Sequence, residues 1–364
     1  MVVAGAFFLG GLVLLLVAGN LVVRGASALG VRFGLAPNVI GLTIVAAGTS
    51  APELAVVNQA VSSGDAELAV GSVVGSNIAN VLLVLGLAAV LGAITVAGRV
   101  VRIDIPVMLL TTAAFVAFAW NRSIARVEGI VLLTGLVAFT VWTIRAARTV
   151  ESAEETPPLG LGRSIVELVG GIALLALAAQ LVVSGASDIA ESLGVPNLVI
   201  GLTVVAIGTS APEIVTTVVA AARGQRDLAV GNAVGSNIYN ILLVLGLTAS
   251  ITPSGIDIAD SAFRLDVPVM AAAAFACLPL VALDRRLDRW EGIVFVSYYA
   301  AYLTFLVLEA TGNRAAEPFA LIMLGFVMPI TAITVGVVLL RQVKANRRRR
   351  ATMMTADSTA PSAE

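Results

Sequence analysis

The sequence predicts an all-α polytopic membrane protein: two inverted-topology repeats of five spans each, followed by an eleventh C-terminal span. Three observations carry that prediction. The 364 residues are 59% hydrophobic and only 12% charged, with a mean hydropathy of +1.00, and the apolar runs are too long for a soluble core. Residues 41–89 recur at 201–249 without a gap, with 30 of the 49 positions identical. The basic residues fall on alternate loops, as the positive-inside rule requires of a multi-span chain.

The spans run roughly over 3–23, 38–61, 68–92, 104–120, 127–146, 164–187, 197–221, 228–250, 265–283, 290–309 and 318–340. The first has no basic residue before its apolar stretch and is too long for a signal h-region, so it reads as a retained span. Residues 147–163, ARTVESAEETPPLGLGR, form a linker marked by acids and paired prolines. It separates a first repeat, 1–146, from a second, 164–310; residues 311–350 carry the extra span and a basic anchor, and 351–364 a disordered tail. The repetition reaches beyond the long copies, since LVVRGAS at 21–27 matches LVVSGAS at 181–187, and RIDIPVM at 102–108 matches RLDVPVM at 264–270. Five is odd, so the second copy enters the membrane upside down. With the N-terminus outside and the C-terminus cytoplasmic, 18 of the 22 Lys and Arg residues lie inside, leaving Arg122, Arg126, Arg264 and Arg314 outside.

The chain has no histidine and one cysteine, Cys277. An internal disulfide is thereby excluded, and the usual nitrogen ligand for zinc or copper is missing. What is left is oxygen, the donor of hard cations.

Those oxygens concentrate in the duplicated segment. In Gly48-Thr-Ser-Ala-Pro-Glu53 and Gly208-Thr-Ser-Ala-Pro-Glu213 the proline has no N–H for the carbonyl four residues back, so each helix should bend or break and expose carbonyls around Ala46 to Gly48 and Ala206 to Gly208. Such backbone is tolerated at membrane depth only where protein or a wet cavity surrounds it. Thr49 and Ser50 share a helical face with Glu53, as Thr209 and Ser210 do with Glu213; Ser76 with Asn80 and Ser236 with Asn240 repeat the spacing in the next spans. A midspan acid costs about 2.5–3.5 kcal/mol to insert, so both glutamates should face the bundle interior. If the halves meet face to face, two carboxylates match one Ca²⁺, and Na⁺, of nearly the same radius, fits a similar oxygen cage.

Blander readings compete. A single Gly/Ser/Ala-rich turn with proline also suits close helix packing, but two copies that each carry a midspan glutamate favour a site. Ser76, Asn77, Ser236 and Asn237 serve either ligation or a helix–helix hydrogen-bonding knot. Asp104 and Asp266 read as structural, capping a helix or pairing with Arg102 or Arg264. Glu128 and Glu291, each followed by glycine, read as interfacial. The run 347–350 reads as a topology anchor beside anionic lipid.

With GTSAPE followed by GSNIxN in both halves, the chain resembles the cation/Ca²⁺ exchanger superfamily, most closely its prokaryotic Na⁺/Ca²⁺ exchanger branch, over residues 1 to about 310. The resemblance implies the ten-helix exchanger fold with a midplane site between helices 2, 3, 7 and 8. It implicates Thr49, Ser50, Glu53, Ser76, Asn80, Thr209, Ser210, Glu213, Ser236 and Asn240, with the carbonyls of Ala46 and Ala206. It further implies alternating access, helices 1 and 6 sliding against a fixed core, in the inner membrane of a prokaryote. Expected partners are Ca²⁺, Na⁺ and the bilayer, with no nucleic acid and no cofactor. Asn240 departs from relatives with an acid there, which favours K⁺ independence, and the linker is too short for the calcium-sensing domains of animal relatives. The nearest alternative is a Ca²⁺/H⁺ antiporter of the same fold. From other classes come a channel or a membrane scaffold; an intramembrane enzyme is disfavoured because no histidine or lysine is available at depth to activate a nucleophile.

Overall fold

Hydrophobic length sets the helices, and glycine and proline set their ends. The computed structural model describes residues 1–64, 66–147, 159–278, 285–330 and 336. Among these, eight helices are long and apolar enough to cross a bilayer: α1 (Val2–Phe33), α2 (Pro37–Ser62), α3 (Leu68–Leu91), α4 (Val100–Asn121), α5 (Arg126–Ala146), α6 (Leu161–Ser192), α8 (Arg226–Ile251) and α10 (Arg289–Ala310). A ninth span, α7, is a pair of helices, Gly201–Thr209 and Ala211–Ala222, bent by 53°. The span expected at 265–283 is helical as α9 (Asp266–Phe275), and its last residues lie outside the described part. Of the eleventh span, α11 (Ala316–Ile330) is described. The linker at 148–158, the basic anchor and the tail are likewise outside it.

Two boundaries differ from the sequence reading. Helix α1 continues ten residues past the expected end at 23, and α6 five past 187, because leaving the hydrocarbon does not terminate a helix. At about 1.5 Å per residue each reaches about 48 Å, well beyond about 30 Å of lipid core. The stop in α1 comes at Gly34, whose left-handed φ of 64° lets its N–H reach the carbonyls of Gly30 and Val31.

The halves are related by a pseudo-twofold that the packing makes explicit. Helices α1 and α6 lie side by side through four glycines 160 residues apart in pairs. A Cβ on Gly25 would stand 2.6 Å from the Leu168 nitrogen, and one on Gly185 2.5 Å from the Phe8 nitrogen; Gly11 against Val182 and Gly171 against Val22 repeat the relation at 2.9 Å. Lipid offers no hydrophobic drive for helix association, so such small residues supply the contact. Two short ribbons tell the same story. Strand β1 (Ile94–Thr95), after α3, pairs antiparallel with β4 (Arg286–Leu287), before α10; β2 (Ser123–Ile124), before α5, pairs with β3 (Ile256–Asp257), after α8. The loops holding β1 and β3 are equivalent in the two repeats, yet α4, about 33 Å long, separates their ribbons. Equivalent loops thus sit at opposite ends of the bundle, which is the inversion that five spans per repeat demand.

Glu128 and Glu291 turn out to be caps. Each accepts a backbone N–H three residues earlier, from Ala125 and Asp288, both at 2.7 Å. The glycines that follow let α5 cross α8 and α10 cross α3, with Gly129 against Gly246 and Gly292 against Gly86. Buried apolar side chains form two clusters: one joins α3, α4, α5, α8, α9 and α10, and the other joins α1 and α6 to parts of α2, α7 and α8. The long pair therefore packs on itself and on the docked and broken segments of α2, α7 and α8.

Candidate cation site

The site begins where α2 and α7 break. In both, the helix stops at the serine of GTSAPE, Ser50 with φ −80° and ψ −1° and Ser210 with φ −87° and ψ 5°. It restarts with the proline in the first turn, where the missing N–H costs nothing. Glu53 and Glu213 fall in those first turns, at a helix end that favours negative charge. The local break thus follows from sequence, as expected. Ala46 differs from expectation: its carbonyl already accepts the Ser50 N–H at 3.0 Å and the Thr49 hydroxyl at 3.3 Å, so the proline does not free it. In the second half the Ala206 carbonyl accepts the Thr209 hydroxyl at 3.0 Å.

Tertiary packing brings the two breaks together. Glu53 and Glu213 are 1% and 0% exposed, and their carboxylates are close enough to interact electrostatically. Thr49 of α2 lies 3.5 Å from Ser236 of α8, and Ser210 of α7 lies 3.5 Å from Ser76 of α3. These separations exceed an ordinary O–H···O bond of about 2.7–2.8 Å. Both carboxylate groups, the Ser50 hydroxyl and the whole carboxamides of Asn80 and Asn240 are buried without a protein partner. Burying a bare carboxylate costs several kcal/mol, so this cluster calls for a proton or a cation to offset its charge. Among the described residues no three acidic or cysteine side chains gather at one place, so the two glutamates are joined here by neutral oxygen donors.

The Gly-Ser-Asn stretch divides its labour. Ser76 and Ser236 face the opposite half's broken helix, whereas Asn77 donates to the Met270 sulfur at 3.6 Å and Asn237 to that of Met108 at 3.4 Å. The asparagines tie α3 to α9 and α8 to α4, so the knot reading holds for them. Asp104 and Asp266 pair with neither Arg102 nor Arg264, and neither caps its helix: Asp104 is fully buried with both oxygens unpartnered, and Asp266 accepts the Tyr302 hydroxyl at 2.8 Å. Arg264 instead faces Asp260 at 3.6 Å.

Two features escaped the sequence reading. Wide π-type turns occupy Gly41–Val45 and Gly201–Val205 just before the GTSAPE breaks, and Asn80–Leu85 and Asn240–Leu245 just after the GSN motifs. Such turns cluster at functional sites, and their recurrence in both copies was the only signal available. The second is Asn232, whose amide donates to Thr217 at 2.9 Å while Thr49 lies 3.5 Å from its oxygen.

The two halves are not in the same state. A Cβ on Gly41, Gly231 or Gly235 would collide with the facing backbone of α8 or α2, so the first half of α2 is docked on α8. Their counterparts Gly201, Gly71 and Gly75 have nothing within 4 Å, so the first half of α7 stands away from α3. In consequence Ala46 and Thr49 are buried, while Ala206 and Thr209 are half-buried. The oxygen cluster is itself buried, packed tightly where α2 docks on α8 and loosely where α7 stands away from α3.

Comparison with known proteins bears on this arrangement. The family model described as sodium/calcium exchanger protein matches residues 3–145 and 163–308. A putative antiporter, CaxA, of Alkalimonas amylolytica is 41% identical over 315 residues, covering 83% of this chain and 98% of its own. The sodium/calcium exchanger MaX1 of Methanosarcina acetivorans is 32% identical, covering 81% of this chain and 96% of its own. Among solved structures, the sodium-calcium exchanger NCX_Mj soaked with Na⁺ and Sr²⁺ superposes with a TM-score of 0.73 at 29% identity, covering 83% of this chain and 98% of its own.

Proposed function

The chain belongs to the sodium/calcium exchanger family, and from that premise we propose that it exchanges Na⁺ for Ca²⁺ across a prokaryotic inner membrane by alternating access. The observation that carries the reading is the pair Glu53 and Glu213, both buried with carboxylates that no protein group bonds and within electrostatic reach of each other, at the breaks of two oppositely oriented helices. Two carboxylates neutralise one Ca²⁺, and the hydroxyls of Thr49, Ser50, Ser76, Thr209, Ser210 and Ser236 with the carboxamides of Asn80 and Asn240 complete an oxygen cage suited to Ca²⁺ or Na⁺. Several Na⁺ ions would leave the loaded site positive, so exchange is electrogenic.

Transport requires that the docked and undocked helices change places. With the N-terminus outside, as the loop charges argue, the undocked end of α7 faces outward and this conformation is open to the exterior. Docking of α7 on α3 and release of α2 from α8 gives the inward-open state, with α1 and α6, which share a core cluster with parts of α2 and α7, shifting alongside the moving halves.

The test is Ca²⁺ flux in vesicles with Na⁺, K⁺ and H⁺ gradients imposed one at a time and the membrane potential clamped. Uptake should follow the Na⁺ gradient and respond to voltage. Uptake that ignored Na⁺ and followed pH would replace this reading with Ca²⁺/H⁺ antiport. Glu53→Gln and Glu213→Gln should each lower flux by about 100-fold or more, the loss expected when one buried charge of a set is removed, while thermal stability holds. A fully active single variant would remove the site.

A further inference from the structure

The repeats part company just past the end of α9. When the match of RIDIPVM with RLDVPVM is continued along the chain, Cys277, the one cysteine, stands where the first repeat has Phe115. Both are buried, at 1% and 0% exposed. A thiol is far smaller than a phenyl ring, and beside it lies a void of about 150 Å³ that is too narrow to seat a water molecule. Its polar and sulfur-bearing walls are Asn80 of α3, Met108 of α4, Asn237 of α8 and Cys277. Asn237 donates to the Met108 sulfur at 3.4 Å, which holds the thioether in place, while its own Oδ1 is buried without a protein partner. The carboxamide of Asn80 is likewise buried and unpartnered. Two sulfurs and two unsatisfied amides therefore face one small space.

We propose that Cys277 Sγ and Met108 Sδ form a site for a soft monovalent metal ion, of the class of Cu⁺ and Ag⁺, with the amide oxygens of Asn80 and Asn237 beside it. Thiolate and thioether ligands select soft ions over hard ones, so Na⁺ and Ca²⁺ keep to the carboxylates. Charge decides the valence. As the ion binds, the Cys277 S–H bond breaks, its electron pair stays on sulfur to form the metal–sulfur bond, and the proton leaves to water. One positive charge thus replaces another, and no uncompensated charge is buried; a divalent ion would leave one. The narrow void adds a second selection, since it holds a bare ion bonded to side chains and excludes a hydrated one. Asn80 belongs both to this void and to the proposed Ca²⁺ cage. An ion at the sulfurs that draws on its oxygen takes a ligand from Ca²⁺, so soft metal blocks transport. Binding at the sulfurs is independent of the Na⁺/Ca²⁺ reading above, and only the site shared through Asn80 links the two.

The experiment is Ag⁺ binding to the purified full-length protein in chloride-free buffer, read by metal analysis, beside Ca²⁺ flux in vesicles treated with Ag⁺. Cys277→Ser keeps the volume and trades the soft donor for a hard one. It should weaken Ag⁺ binding about 100-fold or more, at or beyond the upper end of what losing an outer contact of a metal site costs, and should restore flux relative to its own silver-free rate. Met108→Leu, close to volume-conserving, should weaken binding by about tenfold or more. If Cys277→Ser fails to fold, Cys277→Ala makes the same test. A wild-type protein that takes up no Ag⁺, or a Cys277→Ser protein with wild-type affinity, would overturn the site. Unchanged affinity in Met108→Leu would reduce it to a lone thiol and overturn it as well, and Ag⁺ held by Cys277 with flux intact would overturn the block. Flux that silver blocks but that follows pH instead of Na⁺ would remove the exchange reading and support this inference.

Discussion

Two single-methyl substitutions at equivalent glycines should push the protein in opposite directions. At Gly235 an added Cβ would lie 2.8 Å from the Leu42 carbonyl oxygen and 2.8 Å from the Ala46 Cβ, against 3.4 Å or more for ordinary contact. Helix α2 must back away from α8 by about 0.6 Å, and overpacking on that scale costs about 1–3 kcal/mol. The cost applies only while α2 is docked, so Gly235→Ala should raise the inward-open population relative to the outward-open one by about 5–150-fold. At Gly75 nothing lies within 4 Å, so alanine leaves the present conformation untouched and penalises instead the docking of α7 on α3. Gly75→Ala should therefore lower the inward-open population by a similar factor. Thr43 reports it, since it lies on the docked first half of α2 and is only 5% exposed there. In a Cys277→Ala background, Thr43→Cys in inside-out vesicles should react with an impermeant maleimide faster in Gly235→Ala and slower in Gly75→Ala. Rates that move together, or a Gly75→Ala protein that is misfolded, would refute the assignment of docked and undocked halves.

Other consequences are simpler to read. Glu128→Ala and Glu291→Ala each remove a helix cap and should lower unfolding stability by about 0.5–2 kcal/mol with the apparent KM for Ca²⁺ unchanged; thermal melts beside flux assays check both. Gly25→Ala and Gly185→Ala set a methyl against backbone on equivalent sides of the α1–α6 crossing, so each should cost about 1–3 kcal/mol, and unequal losses would contradict the twofold. Outside the membrane, Arg122 donates to Asp260 at 2.7 Å and holds that carboxyl below the usual aspartate range. A depressed carboxyl contributes above its unfolded pKa, about 3.9, and loses its contribution as pH falls through the lower, folded value. The stability gap between wild type and Asp260→Asn should accordingly stay constant from about pH 7 to 5 and close only in stronger acid.

Much of this molecule is legible residue by residue. Apolar run length places the spans, proline places the breaks at Ser50 and Ser210, and i to i+4 spacing puts Thr49 with Glu53 and Ser236 with Asn240 on common faces, because each of these properties is settled within a few turns of chain. Span parity and loop charge add the inversion, which the ribbons β1–β4 and β2–β3 realise. Partner choice was not legible. Asp104 and Asp266 stood beside arginines in sequence yet face neither, Glu128 and Glu291 became caps, and the asparagines of GSN found methionines in the other repeat. Those outcomes depend on what a distant helix presents across the interface.

The duplicated segment by itself determined the oxygen chemistry and its two copies, since carboxylates, hydroxyls and a broken helix are properties of local sequence. Only the tertiary structure decided that the copy at Gly41 is docked while the copy at Gly201 is not. Two near-identical sequences have near-identical local preferences, so neither can specify which one closes. That choice is made by the whole bundle, where docking one helix and freeing the other are a single packing arrangement.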